Sequence, residues 1–159
     1  MTRQLDAFAP ATLPLDTRLL IAGCSRRKRP AAVPVPALEL YEGGSIPWLR
    51  ARLGSHPGLR QRIRILSAEH GLLHASTPLL PYDRPLDPER ARQLRGTVTG
   101  TLAREWEQTG APGEVLVIAE PLYLVPLADL LATPARVHWI PDPRDTADAG
   151  RVLDQWRWP

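Results

Sequence analysis

The sequence is poor in thiols and has no long apolar run. Its 159 residues include a single cysteine, Cys24, which excludes an internal disulfide and is typical of a reducing compartment. No segment approaches the roughly 20 continuous apolar residues of a membrane span. Asp6, Pro10 and Pro14 interrupt the amino-terminal region, which therefore lacks the apolar run of a signal peptide. These absences predict a cytoplasmic protein that does not bind a membrane.

Lysine is scarce as well. Of the 20 Lys and Arg residues, Lys28 alone is a lysine. The net charge of +3 and the pI of about 9.6 favour an anionic partner, such as nucleic acid or a phosphate-bearing small molecule. An arginine bias of this kind also arises in a GC-rich genome without any functional reason. Both interpretations stay open at this point.

Hydrophobic residues make up 43% of the chain, enough for one domain with a single core. Residues 1–16 have mixed polarity and no period, and we expect an amino-terminal arm there. Residues 17–159 are expected to form a single α/β domain. The segment 68–83 is expected to be irregular, because Gly71, Pro78 and Pro81 punctuate it.

Apolar runs alternate with helical patterns along this domain. The alternation, with strands of the buried type, predicts a mostly parallel sheet of about four strands flanked by helices. Strands are predicted at 17–23, 62–67, 114–119 and 135–140, and the main helices at 46–53, 87–108, 121–131 and 145–156.

Polar residues cluster where each predicted strand ends. The carboxyl ends of parallel strands meet at one edge of a sheet, and ligands of open α/β sheets bind outside that edge. Polar loops also follow strands in folds of this class that have no site there. The side chains expected to converge are those of Ser25, Lys28, Ser67, Glu69, His70, Glu120, Tyr123 and Asp142.

Lys28 has three arginines as close neighbours, Arg26, Arg27 and Arg29. Like charges disfavour protonation of an amine, and a neutral Lys28 acts as a base or forms a Schiff base with a carbonyl. The alternative is that all four cations bind phosphate with help from the loop amides. Ser25-x-x-Lys28 also matches the Ser-x-x-Lys pattern of serine acyl enzymes, but their partner motifs are missing here.

The remaining candidates divide between the pocket and the surface. His70 is interpreted as a hydrogen-bonding or acid–base group. His74 lies four residues after His70, but no further ligand has suitable spacing, so neither a metal nor a cofactor is predicted. Cys24 is expected to be a small buried thiol rather than a reactive one. Residues 60–64, with three arginines, are expected to form a solvated face or a nucleic-acid patch.

Three signatures resemble the YaaA-type peroxide-stress superfamily. Ser25-x-x-Lys28 follows the first strand, where that family has Ser-Pro-Ala-Lys. Residues 66–73, Leu-Ser-Ala-Glu-His-Gly-Leu-Leu, and Pro81-Tyr82-Asp83 resemble its Leu-Ser-x-x-Tyr-Gly-x-Leu…Pro-Tyr element, with His70 in place of the tyrosine. Residues 117–123 resemble its late strand, which ends in an acidic and tyrosine-bearing turn. The Cys-Ser-x-x-Lys form is also similar to a domain of archaeosine synthases, which act on a modified base in tRNA.

The resemblance implies one α/β domain and a link to nucleic acid or nucleobase chemistry. We therefore expect an enzyme acting on a nucleobase, nucleoside or modified nucleotide, such as a lysine-dependent lyase, glycosidase or transferase. The alternative is a non-catalytic protein that binds RNA or DNA or protects against oxidative stress. The expected catalytic residues are Lys28, Ser25, His70 and Glu69, and the expected substrate-binding residues are Cys24, Arg26, Arg27, Ser67, Gly71, Tyr82, Asp83, Glu120 and Tyr123.

Overall fold

The computed structural model describes residues 17–159, and the expected arm at 1–16 lies outside the described residues. Seven strands are present: β1 (Arg18–Gly23), β2 (Val35–Pro36), β3 (Ile63–Ser67), β4 (Gly71–His74), β5 (Pro78–Leu79), β6 (Glu114–Ile118) and β7 (Arg136–Ile140). The six α-helices are α1 (Ala37–Leu40), α2 (Ile46–Leu53), α3 (Pro57–Arg60), α4 (Pro88–Thr109), α5 (Ala128–Leu131) and α6 (Thr146–Gln155). A 3₁₀ turn, Pro121–Leu124, follows β6.

The main sheet has five strands in the order β4-β3-β1-β6-β7. The four strands that the apolar runs predict are parallel neighbours, which confirms a mostly parallel α/β sheet. The expected count of about four is one too low, because β4 pairs antiparallel with β3. Residues 68–83 are therefore not irregular throughout: they contain β4 and also β5, which pairs with β2 in a small second sheet.

Two apolar layers cover the main sheet. Side chains of β1 alternate between them, since Leu20 faces one core cluster while Leu19 and Ile21 face the other. One cluster collects α1, α2 and the residues of α6, and the other collects α4 and α5. This burial on both faces explains why β1 and β6 are apolar throughout.

The long helix α4 begins as its sequence predicts. The Asp87 carboxylate accepts the backbone N–H of Arg90 at 2.7 Å, and Pro88 occupies the first turn. The single helix expected at 121–131 is instead a 3₁₀ turn followed by the short α5. Pro126, which has no N–H to donate, lies between the two pieces.

The arginines of residues 60–64 do not form a solvated basic face, which corrects that expectation. Arg64 is 6% exposed, and its Nε lies 3.1 Å from both carboxylate oxygens of Glu105. Arg60 pairs with Glu39, and the Arg62 Nε donates to the carbonyl oxygen of Arg18 at 2.8 Å. Their charges and donors are used to join elements of the fold, so residues 60–64 offer no free row of cations to a nucleic acid.

Within residues 17–159, no helix combines the length and the apolar character needed to cross a membrane.

Candidate functional site

The order of strands creates a crevice between the carboxyl ends of β1 and β6. The chain leaves β1 towards β3 on one side, and it leaves β6 towards β7 on the other side. Ligands of open α/β sheets bind at such a switch point. The residues just beyond the two strands meet across the crevice: Cys24 Sγ lies 3.4 Å from the Tyr123 hydroxyl, which lies 3.3 Å from the Cys24 carbonyl oxygen.

A cavity of about 400 Å³ opens at this point, within the size range of small-molecule sites. Its wall carries four cations, Arg26, Lys28, Arg84 and Arg144, and three carboxylates. Of the expected site residues, the cavity brings together Cys24, Ser25, Arg26, Lys28, Asp83, Glu120, Tyr123 and Asp142.

The loop that carries Lys28 is held against residues 40–43. Lys28 forms an antiparallel bridge with Tyr41, and the amide of Arg29 donates to the Leu40 carbonyl oxygen at 2.8 Å. The Ser25 hydroxyl donates to the Arg27 carbonyl oxygen at 2.8 Å and accepts the Gly43 N–H at 3.1 Å. Ser25 therefore fastens the loop, and its proton is already engaged with the backbone.

The ammonium of Lys28 lies over aromatic rings. Its Nζ is 4.3 Å from the centroid of the Tyr82 ring and 5.7 Å from that of Tyr41, and it donates to the Arg26 carbonyl oxygen at 3.2 Å. Both the ring faces and the carbonyl stabilise a positive charge. The two rings and the carbonyl oxygen thus surround the Lys28 ammonium with groups that attract a cation.

A chain of hydroxyls lies under that amine. The Tyr82 hydroxyl is 2.6 Å from those of Ser67 and Tyr41. Ser67 Oγ accepts the amides of Glu69 and His70, so it donates its own proton to Tyr82. Burial raises the pKa of Tyr41 to about 12, and burial with the nearby Cys24 raises the pKa of Tyr82 well above its usual range. These hydroxyls stay protonated at neutral pH.

Glu69 and His70 do not line the cavity, and His70 is exposed to solvent. The Glu69 carboxylate accepts Arg84 Nη1 at 3.0 Å, and this hydrogen bond lowers the pKa of Glu69. His70 packs edge-on against Tyr82, with ring centroids 5.2 Å apart. Both residues therefore reach the cavity through a neighbour: Glu69 through Arg84, and His70 through the ring beneath Lys28.

Four further expected residues do not line the cavity: Tyr82, which lies under the Lys28 ammonium, and Ser67, Gly71 and Arg27. Ser67 is completely buried, Gly71 begins β4, and exposed Arg27 donates to the Glu42 carbonyl oxygen at 3.1 Å. Asp142 does line it: the backbone N–H and the guanidinium of Arg144 hydrogen-bond to its carboxylate and lower its pKa. No group of three His, Cys, Asp or Glu side chains in the described part of the chain is arranged to hold a metal ion.

Sequence reasoning missed several residues of the site. Tyr41 is completely buried, and its hydroxyl joins the chain under Lys28. Arg84 directly follows the Tyr82-Asp83 pair, and Arg144 lies in the loop after β7, so proximity to those motifs was an available signal. Gly44 also lines the cavity, at a φ of 64°, and nothing in its neighbourhood in the sequence marked it.

Comparison with known proteins assigns the chain to a family. No curated protein matches the chain, and no solved structure does. Residues 19–149, which run from β1 into α6 and include the whole cavity wall, match a family of unknown function, DUF6884, and the chain belongs to that family.

Proposed function

We propose that the chain is an enzyme that acts on a nucleobase, a nucleoside or a modified nucleotide bound in the switch-point cavity. The observation that carries the proposal is the position of the only lysine. Lys28 lies at a cavity between two parallel strands, on a loop fastened at both ends, with carboxylates on the same wall. The resemblance to the peroxide-stress and archaeosine synthase proteins supports the choice of a nucleobase substrate.

The charges of the wall suit a ligand with two kinds of polar group. Arg26, Lys28 and Arg144 offer donors and positive charge to a phosphate. Asp83 and Glu120 offer acceptors to the N–H groups of a base. Neither carboxylate has a hydrogen-bonding or ionic partner within residues 17–159, so a ligand would not have to break an existing pair to reach them.

Lys28 is the reacting group in this proposal. Its amine attacks a carbonyl carbon of the substrate, a carbinolamine forms, and loss of water leaves an imine. The proton that the ammonium gives up before attack needs an acceptor, which Asp83 or Glu120 supplies. Ser25 keeps the Lys28 loop in place. Tyr82 supports the Lys28 ammonium, and Glu69 and His70 act on the cavity through the residues they contact, Arg84 and Tyr82.

Borohydride reduction tests the imine. The protein is incubated with carbonyl-bearing nucleobase and nucleoside derivatives, reduced, and examined by intact mass and peptide mapping. We expect an adduct on the peptide containing Lys28, its loss in Lys28→Arg, and its retention in the matched control Arg29→Ala. Absence of any adduct, together with full activity of Lys28→Ala, would contradict the proposal.

A second candidate, non-catalytic binding of RNA or DNA, rests on Arg26, Arg27 and Arg29, which are exposed on the same loop. Here we expect tRNA or single strands to bind with an affinity that falls as salt rises, by roughly 0.9 in the logarithmic slope per phosphate contact on duplex DNA and 0.7 on single strands. Arg29→Ala lowers that slope, whereas Arg60→Ala does not, because Arg60 is engaged with Glu39. If tRNA, single strands and duplex all fail to bind at low salt, this candidate is eliminated.

A further inference from the structure

The turn between β3 and β4 is fixed from the inside by one hydroxyl. Ser67 Oγ accepts the amide of Glu69 at 3.2 Å and the amide of His70 at 3.0 Å. Ser67 pairs with Gly71 across the antiparallel ladder, so residues 68–70 form the tip of a short hairpin. These bonds satisfy two amides of the tip and leave its carbonyl groups to find partners elsewhere.

Arg90 supplies those partners from another element. Its Nε donates to the Ala68 carbonyl oxygen, and its Nη2 donates to the Glu69 carbonyl oxygen, each at 2.8 Å. The backbone of Arg90 is itself anchored, because its amide donates to the Asp87 carboxylate that caps α4. A planar guanidinium on a fixed helix turn thus fixes the separation of two consecutive carbonyl groups.

Two side chains of this turn, Glu69 and His70, connect it to the cavity. Glu69 holds Arg84, a cation of the cavity wall, at 3.0 Å. His70 contacts the Tyr82 ring, whose face lies under the Lys28 ammonium. A shift of the turn would therefore move a wall cation and loosen the packing of the ring that supports the amine.

We propose that Arg90 is a positioning residue of the cavity, setting the places of Glu69 and His70 without touching the ligand. The inference rests on the proposed function for its consequence in binding. The placement of the turn can be measured without any ligand. Arg90→Ala removes both donors and leaves two adjacent carbonyl oxygens without this partner, so the turn relaxes and the edge-on contact between His70 and Tyr82 opens.

The test uses the chemical shifts of the His70 ring protons in the full chain, assigned with His70→Gln. The Tyr82 ring displaces these shifts through its ring current, and we expect the displacement to diminish in Arg90→Ala. Arg90→Lys keeps the charge but not the planar guanidinium, so it should retain the displacement of the His70 shifts only in part. Added guanidinium ion should recover part of it in Arg90→Ala, which shows that the variant is folded. Arg92→Ala, an exposed arginine two residues along α4, is the matched control and should leave the shifts unchanged.

A second readout is the affinity for AMP, GMP, CMP and UMP, each titrated by calorimetry. Loss of Arg90 should weaken the tightest of the four by about tenfold, the value of one charged hydrogen bond, with no change in Arg92→Ala. Unchanged His70 shifts in Arg90→Ala, or an equal change in Arg92→Ala, would overturn the inference. If no mononucleotide binds the parent protein, the proposed function loses its support while the His70 shifts still decide the role of Arg90.

Discussion

The hydroxyls of all three tyrosines in the chain lie near the carboxyl ends of β1 and β3. Tyr41 and Tyr82 share one hydrogen-bonded chain, and Tyr123 contacts Cys24 across the crevice. Burial raises the pKa of each: to about 12 for Tyr41, and well above the ordinary tyrosine range for Tyr82 and Tyr123. This cluster therefore links the electrostatics of the site to the stability of the fold.

Alkaline titration checks these shifts. An unperturbed tyrosine ionises near pH 10. In the folded protein we expect almost no rise in absorbance at the tyrosinate wavelength up to about pH 11, and roughly nine-tenths ionisation of all three phenols when urea unfolds the chain at the same pH. The unfolded chain loses these protons first. The stabilisation is therefore complete below about pH 10 and lost as the pH rises through the folded pKa of about 12 for Tyr41. A native phenol titrating near 10 would contradict this.

Individual residues also show where sequence reasoning stops. Lys28, Glu120, Asp142 and the other strand-end residues that line the cavity could be predicted, because a parallel sheet places its carboxyl ends together. Arg64 could not, since a row of arginines looks solvated until the fold brings Glu105, 41 residues away, to its guanidinium. The same holds for Arg90, whose carbonyl partners lie 22 and 21 residues earlier in the chain.

At the scale of helices and strands, segments with a clear sequence pattern have the bounds that the sequence predicts, whereas a short segment with a weak pattern was missed. The helix predicted at 46–53 has those bounds, and the four parallel strands agree within a residue or so at each end. The strand β4 was missed because four residues, Gly-Leu-Leu-His, carry too short a period to distinguish a strand from a loop. β4 forms because its backbone pairs with that of β3, and this pairing depends on the folded sheet and not on the four residues alone.

The hairpin formed by β3 and β4 depends on Gly71. Its φ is 79°, in the left-handed region, and an added Cβ would lie 3.3 Å from Thr97 Cγ2. Gly71→Ala should therefore lower the free energy of unfolding by about 1–2 kcal/mol, measured by urea denaturation. Gly96→Ala is the matched control, because no atom lies within 4 Å of its added Cβ and the site is inside α4. There we expect stabilisation of roughly 0.5–1 kcal/mol. Equal effects at both glycines would contradict the interpretation.

At the scale of the whole molecule, Trp156 joins the far ends of the described chain. Its indole N–H donates to Glu114 at the start of β6, 3.3 Å away, and its carbonyl oxygen accepts Arg18 Nη1 at 3.2 Å at the start of β1. The Arg18 guanidinium also lies 5.5 Å from the centroid of the Trp156 ring. These contacts lie at the edge of the sheet opposite the cavity and fasten the end of α6 to its central strands.

Replacing Trp156 should therefore affect the entire domain. The side chain is buried, and we expect Trp156→Ala to reduce the free energy of unfolding by about 3–5 kcal/mol in urea. Trp139→Ala serves as the comparison. That tryptophan is 40% exposed and donates one hydrogen bond to the Ala119 carbonyl oxygen, so a loss of about 1 kcal/mol is expected. A larger loss of unfolding free energy in Trp139→Ala than in Trp156→Ala would contradict the interpretation that Trp156 stabilises the domain by joining α6 to the central strands.

The position of the only lysine has a consequence for covalent regulation. Lys28 is the only target in these 159 residues for acetylation, ubiquitination or any other modification of a lysine side chain. This residue lines the cavity. Acetylation would neutralise the cation above Tyr82 and place an acyl group at the cavity mouth. Modification of Lys28 would thus alter the ligand site, and a bound ligand would protect Lys28 from modification.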